Sequence, residues 1–189
     1  LREAGLSRSA VTYFSWAALG YSFKFVWAPL VNHLSIPGLT RLLGQRRGWL
    51  LLSQLLIMLA IILMALIDPA TDQLTAMAMA AVLLGFSAAT QDIVIDAFRI
   101  ESADEKFQAL MSSGYIAGYR IGMLVAGAGV LYLASWFGST SEQYSYLAWQ
   151  STYLLMAAAM LVGVITTLCI SEPDIESRGG SMPDTSHSL

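Results

Sequence analysis

Long apolar stretches, each about as long as a lipid bilayer is thick, alternate with short polar connections along this chain. A window of about 19 residues predicts five membrane-spanning helices, at about 10–31, 49–67, 74–96, 110–135 and 149–170. The second is the clearest, because no charged residue lies between Trp49 and Ile67. As a helix it is about 28 Å long, close to one hydrocarbon thickness. The pattern therefore predicts an all-α polytopic membrane protein.

The connections carry the helix breakers and most of the cations. The connection at 32–48 contains one proline, three glycines and three arginines, Arg41, Arg46 and Arg47. Outside the spans, Lys and Arg number three here, two at 97–109 and one in the tail, against only Arg2 and Arg8 on the other side. Because cytoplasmic loops are rich in cations, this predicts an external N-terminus and a cytoplasmic C-terminus.

Three segments follow from this topology. Residues 1–9 are predicted to be the remnant of an external loop, 10–170 the transmembrane bundle, and 171–189 a disordered cytoplasmic linker or tail. The chain opens on Leu1, with no initiator methionine and no signal segment. We therefore expect it to be a fragment of a longer reading frame.

Composition excludes several classes of protein. Of the 189 residues, 56% are hydrophobic and 12% charged, whereas soluble domains carry about a quarter charged residues. A net charge of −3 leaves no basic field for nucleic acid. The single cysteine, Cys169, excludes a disulfide framework or a cysteine-rich metal site. Lipid is therefore the expected surroundings, and we expect no metal, no cofactor and no nucleic-acid partner.

Four charged residues lie inside the predicted spans. They are Lys24, Asp92, Asp96 and Arg120. Each costs about 2.5–3.5 kcal/mol on insertion scales, so they are expected to face a protein interior or a water-filled cavity and to pair internally. By depth, Lys24 matches Asp92. Asp96 matches either Arg99 or the Arg46–Arg47 pair.

Each of these residues has a structural and a functional interpretation. Asp92, beside Gln91, is as plausible a protonatable site or ligand contact as a static partner. Asp96 lies three residues before Arg99, which favours a structural or gating ion pair. The deep cations Lys24 and Arg120 are candidates for a ligand or ion path.

The basic connection also has two interpretations. Its arginines can serve only to orient the chain in the membrane. Alternatively, Arg46 or Arg47 pairs with Asp96 in one state and releases it in another, as a cytoplasmic gate.

Four sequence blocks resemble the AmpG muropeptide permease family of the major facilitator superfamily. They are GYSFKFVWAPLV at 20–31, GQRRGWLLLSQ at 44–54, SAATQDIVIDAFR at 87–99 and GYRIGMLVAGA at 118–128, followed by Glu172–Pro173. The resemblance implies that the chain covers the second to sixth helices of the six-helix N-terminal half. On this basis the first helix and the whole C-terminal half of the same carrier are missing partners.

The resemblance implies a function as well. It indicates a non-enzymatic importer in the bacterial inner membrane, driven by the proton gradient, that carries anhydro-muropeptides (GlcNAc-anhydroMurNAc peptides) to the cytoplasm for cell-wall recycling. Lys24, Asp92, Asp96 and Arg120 match the family's intramembrane charges, and the sequence from Arg46 to Gly48 matches its cytoplasmic loop. One departure is Asn32–His33, where the family tends to have an Asp-Arg pair.

Two other functions remain open at this stage. A more distant branch of the same group carries acetyl-CoA. Alternatively, Asp92 and Asp96 have the four-residue spacing used by polytopic membrane phosphotransferases, although the sequence shows no metal-ligand set to complete such a site. The fragment can also lack activity of its own, because substrate sites in this superfamily lie between the two halves.

Overall fold

The computed structural model describes residues 23–70, 73–102, 105–140 and 143–173, and every regular element within these ranges is a helix. The helices are α1 Lys24–His33, α2 Leu39–Leu43, α3 Gln45–Leu66, α4 Leu74–Ser102, α5 Glu105–Leu124, α6 Val130–Trp136, α7 Tyr146–Ala159 and α8 Leu161–Cys169. A π-helical turn, Val125–Gly129, joins α5 to α6. Met160 separates α7 from α8.

Four helical stretches in this part of the chain are long and apolar enough to cross a membrane. They are Gln45–Leu66, Leu74–Ser102, Lys106–Trp136 and Tyr146–Cys169. They correspond to the last four predicted spans, and the chain is an all-helical, multi-pass membrane protein. Of the first predicted span, 10–31, only the end is described, as the start of α1. The predicted segment 1–9 and most of the tail, from 174, lie outside the described residues.

The helix ends differ from the predicted ones. α4 continues past 96 to Ser102, because no proline or glycine interrupts its last residues. Its 29 residues make about 43 Å of helix, more than one hydrocarbon thickness, so its end extends past the apolar layer. α3 begins at Gln45 rather than at 49, which places Arg46 and Arg47 in its first turn instead of in a loop.

The glycines of the 32–48 connection explain this shift. Gly38 and Gly44 adopt φ values of 90° and 92° and mark the two ends of α2. Gly48 does not break the helix: it lies buried in α3, where an added Cβ would be 3.4 Å from Leu39 Cβ. Gly48 is therefore a packing residue that lets α2 lie close against α3.

α3 is the central helix of the described bundle. It packs along α4 and α7 and also contacts α2 and α8. Alanines supply much of the buried surface between these helices. They are Ala60 and Ala65 on α3, Ala80 and Ala89 on α4, and Ala148 and Ala157 on α7. Small side chains let membrane helices approach closely, which is the main source of their packing energy in lipid.

α5 is the least covered helix. Among the described elements outside its own span it contacts chiefly α4. An added Cβ at Gly114, Gly118 or Gly122 would meet nothing within 4 Å. The face that carries these glycines is thus open in the described part of the chain.

Candidate functional site

An ion pair joins α1 to α4 within the membrane-spanning region. Lys24 Nζ lies 3.1 Å from Asp92 Oδ2. Asp92 precedes the last residue of α4, Ser102, by ten positions, or about 15 Å of helix. The side chains of Lys24 and Asp92 keep 35% and 21% of their surface exposed. The pair that the matching depths predict is therefore present, and it borders open space.

Tyr115 of α5 is a third member of this site. Its hydroxyl donates to Asp92 Oδ1 at 3.0 Å. The two carboxylate oxygens of Asp92 are therefore contacted from two different helices, α1 and α5. The guanidinium carbon of Arg99 lies 5.2 Å from the centroid of the Tyr115 ring. Sequence reasoning missed Tyr115, although it follows the start of α5 by ten positions and so lies at the same depth as Asp92.

Asp96 pairs with its neighbour on the same helix. Arg99 Nη2 lies 3.4 Å from Asp96 Oδ1, an i,i+3 pair. This is the first of the two alternatives left open by the sequence. The second, a pair with Arg46 or Arg47, is not formed, because the side chains of both arginines have other partners in this structure.

Gln91 and Arg120 lie apart from the ion pair. Gln91 lines a cavity of about 330 Å³ between α3, α4 and α8, and its buried Oε1 has no hydrogen-bond partner among the described residues. Arg120 is exposed and makes no ion pair or hydrogen bond with a described residue. At about 100° per residue it is turned about 140° around α5 from Tyr115, away from α4. The expected network of all four intramembrane charges therefore omits Arg120.

Arg46 ties together the helix ends at one end of the bundle. Its Nε and Nη2 donate to the two carboxylate oxygens of Glu101 at 2.8 and 2.5 Å, and its Nη1 donates to Asn32 Oδ1 at 2.8 Å. Arg46 thus links α3 to α1 and α4 in a two-pronged geometry that only arginine can make. Asn32, at the position of a departure from the family pattern, supplies an amide oxygen in place of a carboxylate.

Glu172, which follows α8, caps the start of α3. Its Oε1 accepts from the backbone N–H of Arg46 at 2.7 Å and its Oε2 from that of Arg47 at 3.0 Å. Two cations in the first turn oppose the helix dipole, and the carboxylate offsets them while it satisfies two free N–H groups. We call Asn32, Arg46, Arg47, Glu101 and Glu172 the basic-end cluster.

Arg47 makes the reciprocal contact. Its Nε and Nη2 donate to the backbone carbonyls of Thr167 and Leu168 at 3.0 and 2.8 Å. These carbonyls belong to the last turn of α8, where a cation is favoured. The start of α3 and the end of α8 thus cap each other.

Similarity to known proteins extends over almost the whole chain. Residues 2–183 match the family described as Major Facilitator Superfamily. The chain belongs to the Major Facilitator Superfamily. Within it, the chain is 38% identical over 175 residues to a Rickettsia conorii protein named as an AmpG transporter, an alignment that covers 93% of this chain and 40% of that protein.

A second relative also supports the resemblance to the AmpG family. The chain is 38% identical over 163 residues to the anhydromuropeptide permease of Escherichia coli K12, covering 86% of this chain and 30% of the permease. The predicted resemblance to the AmpG family is thus confirmed. The chain spans between 30% and 40% of the length of these two relatives. No solved structure matches it.

Membership of this superfamily leaves the phosphotransferase alternative without support. Asp92 and Asp96 have separate partners, Lys24 and Arg99. Among the described residues, no group of three or more His, Cys, Asp or Glu side chains is placed to hold a metal ion. The relatives are named as a transporter and a permease.

The cap on α3 leads to a stability prediction for this superfamily member. Gly44→Ala is expected to lower the melting temperature of the chain in detergent more than Gly38→Ala. Both glycines have positive φ, but an added Cβ at Gly44 would overlap the Glu172 carboxylate, whereas at Gly38 it meets nothing. Backbone strain costs about 1–3 kcal/mol at either site, and displacing the cap adds about 1 kcal/mol at Gly44. Equal losses would show that Glu172 contributes no stability.

Proposed function

We propose that this chain forms part of a proton-coupled importer of anhydro-muropeptides in the bacterial inner membrane. The observation that carries the proposal is the Lys24–Asp92 ion pair, which places a cation of α1 against a carboxylate inside the membrane-spanning helix α4 and is completed by Tyr115. The substrate class is that of the Escherichia coli relative, an anhydromuropeptide permease. Among carriers of anionic solutes, the relatives favour muropeptides over acetyl-CoA.

The ion pair suggests how protons and substrate are coupled. Protonating Asp92 removes the negative charge that Lys24 faces and weakens the contact that joins α1 to α4. An unpaired lysine in the membrane is costly, so protonation favours a state in which a substrate carboxylate reaches Lys24. The ligand and the proton then shift the same conformational equilibrium. Arg120, on another face of α5, and Gln91, on another cavity, remain candidates for further substrate contacts.

The basic-end cluster is the proposed cytoplasmic gate. Its side chains join the ends of α1, α3, α4 and the segment after α8. We infer that these contacts hold one conformational state and are rearranged in another. The excess of cations at this end supports a cytoplasmic location. Asp96 and Arg99 lie between this cluster and the ion pair.

Transport by a complete relative tests the proposal. Labelled anhydro-muropeptide is expected to accumulate in membrane vesicles only under an inward proton gradient, with acetyl-CoA failing to compete. Lys24→Ala, at the matching position, is expected to raise the half-saturation concentration at least about tenfold, because one charged contact is worth about 1.5–3 kcal/mol. Arg41→Ala serves as the control. It removes an exposed cation from the 32–48 connection and should leave uptake unchanged. Gradient-independent uptake, or competition by acetyl-CoA, would contradict the proposal.

A further inference from the structure

A small pocket lies at the end of the bundle opposite the basic-end cluster, where α3 ends and α7 begins. Its volume is about 120 Å³. Four aromatic side chains line it, Tyr144, Tyr146, Trp149 and Tyr153, together with the amide of Gln150 and with methionine and aliphatic groups from α3, α4 and the connection between them. Nothing in the proposed transport mechanism uses this pocket.

The hydroxyl protons of two tyrosines are already committed. Tyr144 Oη donates to Asp68 Oδ1 at 2.9 Å, and Tyr146 Oη donates to the backbone carbonyl of Ala65 at 3.0 Å. The rings of Trp149 and Tyr153 lie side by side, with centroids 6.0 Å apart. Gln150 Nε2 in turn donates to Tyr146 Oη at 3.3 Å, so these polar groups are hydrogen-bonded to other protein groups, and the walls offer chiefly aromatic surface. An aromatic lining beside a carboxylate suits a cation.

The charge around the pocket has the matching sign. Among the described residues of the two connections at this end, 67–70, 73, 137–140 and 143–145, Asp68 is the one charged side chain. On the predicted topology only Arg2 and Arg8 share this side of the membrane. Burial, and then the hydrogen bond to Asp68, raise the pKa of Tyr144, so its phenol stays neutral and keeps donating to the carboxylate.

Size and location narrow the ligand further. The pocket's volume of about 120 Å³ is well below the roughly 300–1,000 Å³ of sites for drug-sized ligands, and it suits a small group such as an ammonium with its substituents. The pocket lies at the ends of membrane-spanning helices, the level at which tyrosine and tryptophan meet lipid headgroups.

We propose that this aromatic pocket binds a small organic ammonium group, carried either by a soluble amine or by a lipid headgroup. The aromatic faces and the adjacent Asp68 supply the attraction. Binding here does not depend on muropeptide transport, so the two proposals can fail separately.

A titration of the full chain in a neutral detergent tests the chemistry. The probes are choline and its uncharged isostere 3,3-dimethylbutan-1-ol, followed by saturation-transfer NMR. Choline is expected to bind at least about tenfold more tightly than the isostere, because only choline gains the cation–π attraction. Equal affinities, or no binding of either probe, would overturn the proposal.

Variants of Trp149 test whether choline binds in this pocket. Trp149→Leu is expected to weaken choline binding about tenfold and Trp149→Phe by less, because phenylalanine keeps a weaker aromatic face. Trp136→Leu, at an exposed tryptophan of α6 outside the pocket, should bind choline like the wild type. If Trp149→Leu fails to fold, Trp149→Phe carries the test. Unchanged binding by a folded Trp149 variant would overturn the proposal.

Nanodiscs distinguish the two sources of the ammonium group. If a lipid supplies it, phosphatidylethanolamine raises the melting temperature above that in pure phosphatidylglycerol, and Trp149→Phe reduces this difference. If a soluble amine supplies it, choline raises the melting temperature in phosphatidylglycerol and phosphatidylethanolamine does not. A Trp149→Phe variant that retains the full wild-type response to both would overturn the proposal.

Discussion

Asp92→Asn, at the matching position of a complete relative, is expected to abolish proton-driven uptake of anhydro-muropeptide. Asparagine cannot gain or lose a proton at physiological pH, and it leaves Lys24 without the charge that lies 3.1 Å from it. It keeps an oxygen that can accept from Tyr115, so the packing of α4 against α5 should survive. Breaking an ion pair in a partly exposed setting costs about 1–2 kcal/mol. The large loss should therefore appear in uptake and not in folding, measured in vesicles with an imposed gradient and by thermal unfolding.

Two further variants separate a proton carrier from a static ion pair. Asp96→Asn removes a carboxylate from the same helix, but its i,i+3 pair with Arg99 is worth only about 0.2–0.5 kcal/mol, so most uptake should remain. The exchange Lys24→Asp with Asp92→Lys restores the pair but moves the carboxylate to α1. It should restore thermal stability without restoring uptake. Full uptake by the exchanged variant would show that the pair is only structural.

Arg46→Ala is expected to cause the largest loss of stability in the described bundle. Arg46 is buried, and it satisfies both oxygens of Glu101 and the amide oxygen of Asn32. Removing one partner of a buried pair costs about 3–5 kcal/mol, which partial exposure of Glu101 reduces to about 2–4 kcal/mol. For a chain of this size that is a fall of about 5–15 °C in melting temperature. Thermal unfolding in detergent, followed by circular dichroism, measures it.

The control for this prediction lies five residues away. Arg41→Ala removes the same charge from an exposed position of α2 and should shift stability by less than about 0.5 kcal/mol. Arg46→Lys keeps the charge but not the two-pronged guanidinium contact with Glu101, so it should recover only part of the lost stability. If Arg41→Ala and Arg46→Ala destabilise equally, the effect is one of net charge and the geometry of the cluster is irrelevant.

The membrane spans could be read from the sequence because lipid imposes a one-dimensional rule. A helix must present about 20 apolar residues in a row to cross the hydrocarbon layer, and the run from Trp49 to Ile67 meets it without any knowledge of neighbours. Helix ends follow a weaker rule: Gly44 and Gly48 both qualified as helix breakers in the sequence, and α3 begins between them, at Gln45. A φ of 92° marks Gly44 as the real boundary, and composition does not reveal which glycine adopts it.

The Lys24–Asp92 pair was predictable for a related reason. Charges in lipid must find partners, and depth along two helices is a quantity that counting residues supplies. Tyr115 lies at the same depth, yet a tyrosine has no such need for a partner, so nothing in the sequence singled it out. Arg120 shows the limit of depth alone, because its position around α5 turns it away from the pair.

Sequence by itself determined the all-helical membrane fold, the family and the level at which the charged residues lie, because hydrophobic length and residue count are local properties of the chain. Only the tertiary structure decided that Glu101 and Asn32 hold Arg46, that Glu172 caps α3 and that four aromatic rings meet at the opposite end. These contacts join residues up to 126 positions apart. They depend on how helices rotate and pack against one another, which no local pattern specifies.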